Sequence, residues 1–117
     1  MTQTWKLGGA LALALAVMGC ASNPPLRTES STSAIRAAEA VGADQVPRAS
    51  LHLQLANEEL AAAQKLAADG KNEEADSMLL RAHADAELAI LLSKEDVEKT
   101  EATRAMERVL KLQSDNR

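Results

Sequence analysis

The sequence predicts an all-α protein: a short helix, then an antiparallel helical hairpin with a long, partly overhanging C-terminal helix. Three observations predict it. Apolar residues recur at alternating spacings of three and four over two long segments. Gly42 and Gly70 punctuate those segments, and the prolines are confined to positions 24, 25 and 47. The residues available for a core are alanine and aliphatic, since Phe and Tyr are absent and the single Trp is Trp5.

Taken in order, the first helix spans about Ala34 to Val41, placing Ile35, Ala38 and Val41 on one face and stopping at Gly42. Pro47 suits the first turn of a second helix, where its missing N–H is not needed. Ala49, Leu53, Ala56, Leu60, Ala63 and Ala67 then form a continuous seam that ends at Gly70. Asn72 can cap the third helix, with Glu73 and Glu74 in the first turn, where the helix dipole favours negative charge. The seam resumes at Ala75, Leu79, Ala82, Ala86 and Ala89. Two such seams joined by so short a connector close as an antiparallel hairpin, bringing Leu60 near Ala82 and Ala56 near Ala86.

The third helix, read as unbroken, runs from about Glu73 to Gln113. After Leu92 its apolar pattern fades through Ser93 to Glu101 and returns, out of phase, at Ala102, Ala105, Met106, Val109 and Leu112. Glu95 with Lys99 and Glu107 with Lys111 support helix as i,i+4 pairs. A break is the alternative, with Ser93 and Asp96 as a capping box opening a fourth helix. The five returning apolar residues have no matching strip elsewhere in the chain. They are candidates for binding a protein partner or for self-association; a solvated, frayed tail is the other reading.

The N-terminal segment is of a different kind. Lys6 precedes an apolar run from Leu7 to Gly19, and the chain's one cysteine, Cys20, follows directly. A charged residue, about a dozen apolar residues and a small residue at the boundary have the form of a secretory signal. Val17-Met18-Gly19-Cys20 resembles the lipobox of bacterial lipoproteins. That resemblance implies cleavage before Cys20 and a covalent lipid, diacylglyceryl on the thiol and an acyl chain such as palmitate on the new N-terminus. The run is short for a membrane span, which needs about 20 apolar residues. Each buried methylene contributes about 0.8 kcal/mol, so two or three acyl chains hold a protein at a bilayer where one does not. Ala21, rather than Asp, in the following position implies the periplasmic face of the outer membrane over retention at the inner membrane. Residues 1–19 thus read as signal peptide, 20–33 as lipidated N-terminus and flexible tether, 34–92 as the helical hairpin domain, and 93–117 as a charged helical tail. Pro24, Pro25 and the Ser/Thr run Ser30-Ser-Thr-Ser33 mark the tether.

Charge and composition exclude several function classes. Without Lys6, the 13 basic residues fall to 12 against 17 acidic ones, a formal charge of −5. Nucleic acid and anionic headgroups are poor partners for such a chain. Without aromatics, the mature chain has no platform for stacking bases or sugar rings. His83 and Glu87 lie four apart, with Asp76 further back, but His52 falls well along the hairpin, so no metal site is expected. Neither a triad-like setting around the serines nor a glycine-rich phosphate loop is present, and no catalytic residue or cofactor beyond the lipid on Cys20 is expected.

Ile35-Arg-Ala-Ala-Glu39, Val46-Pro47 leading to Ala49, the Gly70 turn and above all Asp85-Ala-Glu-Leu-Ala89 carry a family resemblance. The stretch from Ile35 to Leu92 resembles a domain of unknown function found in Gram-negative envelope lipoproteins. In that family the domain often precedes an OmpA-like peptidoglycan-binding domain; the sequence reads to Arg117 without one, so direct peptidoglycan binding is not expected. The resemblance implies no catalytic residues. The sequence therefore points to a membrane-anchored, non-catalytic structural or adaptor lipoprotein of the cell envelope. The alternative is a lipoprotein that carries a small apolar ligand between its helices, which seams of alanine argue against because they bring helices close.

Overall fold

A computed structural model describes residues 25–117. The expected signal peptide, Cys20 and the first part of the expected tether lie outside the described residues. Three α-helices follow in order: α1 (Glu29–Ala40), α2 (Pro47–Ala68) and α3 (Asn72–Asp115), with a 3₁₀ turn at Ala43–Gln45 between the first two. The architecture is the all-α one that the periodicity predicts. At 1.5 Å per residue, α2 is about 33 Å long and α3 about 66 Å.

The joints follow from local chemistry. Gly42 and Gly70 both take positive φ, 76° and 78°, the left-handed conformation that a helix end needs and that a side chain resists. At the first, the N–H of Val41 donates to the Ala37 carbonyl and that of Gly42 to Glu39; at the second, Lys71 donates back to Leu66. Val46 is extended, as the residue before a proline prefers, and Pro47 opens α2. The cap of α3 differs from expectation: Lys71 holds the cap position and Asn72 is the first helical residue.

α1 begins at Glu29, five residues before the expected Ala34, so Ser30 to Ser33 belong to a helix rather than to the tether. The reason is tertiary. The Ser31 side chain is 2% exposed and its Oγ donates to the Leu79 carbonyl of α3 at 2.8 Å. A hydroxyl-rich run reads as coil only while its hydroxyls have no partner. The opposite end differs too: Ala34, Ile35 and Ala38 are buried, whereas Val41, placed with them by spacing, is exposed.

The core lies where α1 and α2 cover one side of α3. Ten of its 14 buried apolar residues are alanines, with Ile35, Leu53, Leu79 and Leu92 filling the wider gaps. The seam residues Ala49, Leu53, Ala56 and Ala63 of α2 and Ala75, Leu79, Ala82, Ala86 and Ala89 of α3 are all buried, while Leu60 and Ala67 are half-buried. α3 runs unbroken through Ser93. That serine is buried, and its Oγ donates to the Ala89 carbonyl in the preceding turn, so it cannot cap a new helix.

Candidate functional site

Two places in this fold hold side chains whose chemistry exceeds what packing needs: a polar column beside the hairpin seam, and the overhang of α3.

The column is built by four residues, each immediately N-terminal to a seam residue. His52 precedes Leu53, Glu59 precedes Leu60, Arg81 precedes Ala82 and Asp85 precedes Ala86. Antiparallel closure therefore sets them face to face. His52 Nδ1 lies 2.7 Å from Asp85 Oδ1, and Arg81 Nε lies 3.0 Å from Glu59 Oε1. The Glu59–Arg81 contact joins the two arms next to the Leu60 and Ala82 positions, as an antiparallel hairpin requires. Glu59 is the member under tension. Its side chain is 12% exposed, and its Oε2 is buried without a hydrogen-bond partner among the described residues. Burial pushes its carboxyl above the ordinary carboxylate range, and the neighbouring Asp85 adds to the rise while Arg81 opposes it.

The two histidines of the hairpin have separate partners. His83 Nε2 lies 3.3 Å from Glu87 Oε1 and its Nδ1 lies 3.2 Å from Ser30 Oγ, so the imidazole ties α1 to α3. His52 faces Asp85 instead, and no group of three or more His, Cys, Asp or Glu side chains converges among the described residues. These polar contacts, all legible only through the register, are what the sequence reasoning missed: the two cross-hairpin pairs, and the serine hydroxyls that lock α1.

The overhang presents the reverse situation. Every residue from Lys94 to Arg117 is exposed. The candidate partner-binding residues Ala102, Ala105, Met106, Val109 and Leu112 are all on it, with Met106 70% exposed. Ala105, Met106 and Val109, with Leu110 and Gln113, border one shallow apolar groove. A surface pair, Glu95 with Lys99, braces the helix where it leaves the hairpin, and the Lys99 ammonium holds the Glu95 carboxyl below the usual carboxylate range. Where α3 emerges, Val41 and Val97 border a second groove beside Ser93. Among the described residues no helix is long and apolar enough to cross a membrane.

The motif that carries the family resemblance now has a physical meaning. In Asp85-Ala-Glu-Leu-Ala89, the two alanines close the seam and the aspartate meets His52. Residues 27–105 match a family model, and the chain belongs to that family, described as Domain of unknown function (DUF4398). The match takes in α1, the whole hairpin and the first half of the overhang. No curated protein and no solved structure matches the chain.

Proposed function

We propose, from membership of this helical family and the residues around Cys20, that the chain is a lipid-anchored, non-catalytic adaptor of the bacterial cell envelope. Lipid on Cys20 holds it at the periplasmic face of the outer membrane, the segment from Ala21 to Thr28 spaces it from the surface, and the overhang of α3 docks a protein partner. The observation that carries the docking role is the contrast within α3. A helix that has closed one alanine seam continues for twenty-two more residues, Lys94 to Asp115, with its aliphatic side chains in water. Exposed apolar clusters of this kind mark interaction surfaces. Carriage of a small apolar ligand between the helices finds no support in the hairpin, since the seam alanines at positions 56, 63, 82, 86 and 89 have zero exposure and leave the helices in contact.

Two measurements test the halves of this reading separately. Mass spectrometry of the native protein should find an N-terminal, acylated Cys20, and Cys20→Ala should release the protein from the membrane fraction; an intact Met1 or a bare thiol at position 20 refutes the anchor. Sucrose-gradient fractionation should place the native protein with outer-membrane markers. Deletion of residues 94–117 should leave the hairpin folded and abolish partner capture by in-cell crosslinking; unchanged partners refute the docking role of the overhang.

A further inference from the structure

α3 carries a second apolar face, on the side away from the hairpin seam. In its paired half this face consists of Leu80, Leu88 and Leu91, all exposed; in the overhang it consists of Met106, Val109 and Leu112, also exposed. Leu88 to Met106 and Leu91 to Val109 are each a step of eighteen residues, which is five full turns at 3.6 residues per turn. The two patches therefore share one side of the helix, opposite Ala82, Ala86 and Ala89. Between them lie Lys94, Glu95, Glu98, Lys99 and Glu101.

We propose that this outer face binds a second copy of the chain, antiparallel, with a two-fold axis passing between the two α3 helices level with Val97, so that each overhang lies on the partner's paired half. The proposal rests on the docking role of the overhang and names its partner. Residue order makes the face self-complementary about that axis. Leu88 meets the partner's Met106, Leu91 meets the partner's Ala102, and Ala84 meets the partner's Val109, each contact occurring twice by symmetry. On one flank Lys94 faces the partner's Glu101 and Glu87 faces the partner's Arg108; on the other Glu95 faces the partner's Lys99. The contact runs from Leu80 to Leu112, about 48 Å of helix at 1.5 Å per residue. A parallel arrangement in register would set Lys94 against the partner's Lys99, since residues five apart face each other across a parallel pair. Glu98, nearest the axis on the contact face, is the repulsive element, because it lies against the partner's Glu95 and the partner's Glu98.

Cysteine crosslinking of the full chain in cells tests this. Glu98→Cys should give a disulfide-linked dimer, whereas Ser114→Cys, far from its own symmetry mate in the antiparallel pair, should not. Adding Lys94→Glu to the Glu98→Cys chain should lower the dimer yield at least about tenfold, as like charges across an interface do, and adding Glu101→Lys to that chain should restore it. The unsubstituted chain, whose only thiol is Cys20, sets the background; a dimer through Cys20 itself would count against the acylated cysteine and not against this interface. No self-crosslink at position 98 above that background overturns the proposal, and so does an equal yield at position 114. An adduct of position 98 with a different protein, in place of the dimer, overturns the second copy as occupant while leaving the docking role of the overhang standing.

Discussion

The two halves of α3 belong to one helix but are held by different forces. From Asn72 to Ser93 its alanines close against α2 and α1, and helix formation there is a consequence of burial. From Lys94 to Asp115 every side chain is in water, and nothing within the described chain covers it. An isolated helix is costly to start, because its first turn fixes many torsions for one hydrogen bond. Here the paired half has already formed that nucleus, and each further residue adds a hydrogen bond at little cost. Good helix formers such as Glu, Lys, Ala, Arg and Leu do the rest, with Glu95 and Lys99 paired one turn apart. Attachment to a folded seam thus lets a chain project a helix into solvent without a second core.

Substitutions that treat the halves unequally probe this contrast. The largest effect belongs to Ala86→Asp, which places an unpaired carboxylate at a site of zero exposure; the hairpin should fail to fold, as read by circular dichroism. Ala105→Asp, the same change on the overhang, should shift stability by less than about 0.5 kcal/mol in dilute solution. A comparable loss at both sites would erase the distinction.

Next come two adjacent leucines. Leu79 is 6% exposed and Leu80 is 73% exposed. Leu79→Ala should cost about 2–5 kcal/mol in thermal or urea unfolding, through lost burial and the cavity it leaves, and Leu80→Ala close to nothing. Removing the Ser31 hydroxyl is a smaller perturbation: Ser31→Ala should cost about 1 kcal/mol, and the accompanying rise in amide exchange should be confined to the first turns of α1.

The smallest effect carries a sign. Because the Glu59 carboxyl titrates above its usual range when folded, the folded chain retains a proton that the unfolded chain has released in the interval between. Glu59 therefore makes the hairpin less stable as pH rises through that interval, and the loss is complete above the raised value. Glu59→Gln should remove this slope and leave stability near neutral pH unchanged or higher by up to about 1 kcal/mol. A mutant markedly less stable than the parent at neutral pH would mean that the Arg81 contact outweighs the burial of the carboxylate.

By itself the sequence determined the helices, their glycine and proline boundaries and the antiparallel hairpin, since a spacing of three and four residues leaves one face to bury and Gly70 leaves one way to fold back. The resemblance of Val17 to Cys20 to a lipobox is likewise read from local sequence alone. Tertiary structure decided the rest. Ser30 and Ser31 belong to α1 only because α3 offers Leu79 and His83 as partners, and no local signal reports a partner 48 residues away. Ser93 is an interior residue and not a cap because burial beside Ala89 leaves its hydroxyl only the preceding turn to bond. The column of His52, Asp85, Glu59 and Arg81 exists because two helices were brought together in antiparallel register, a relation between distant residues that neither helix contains alone.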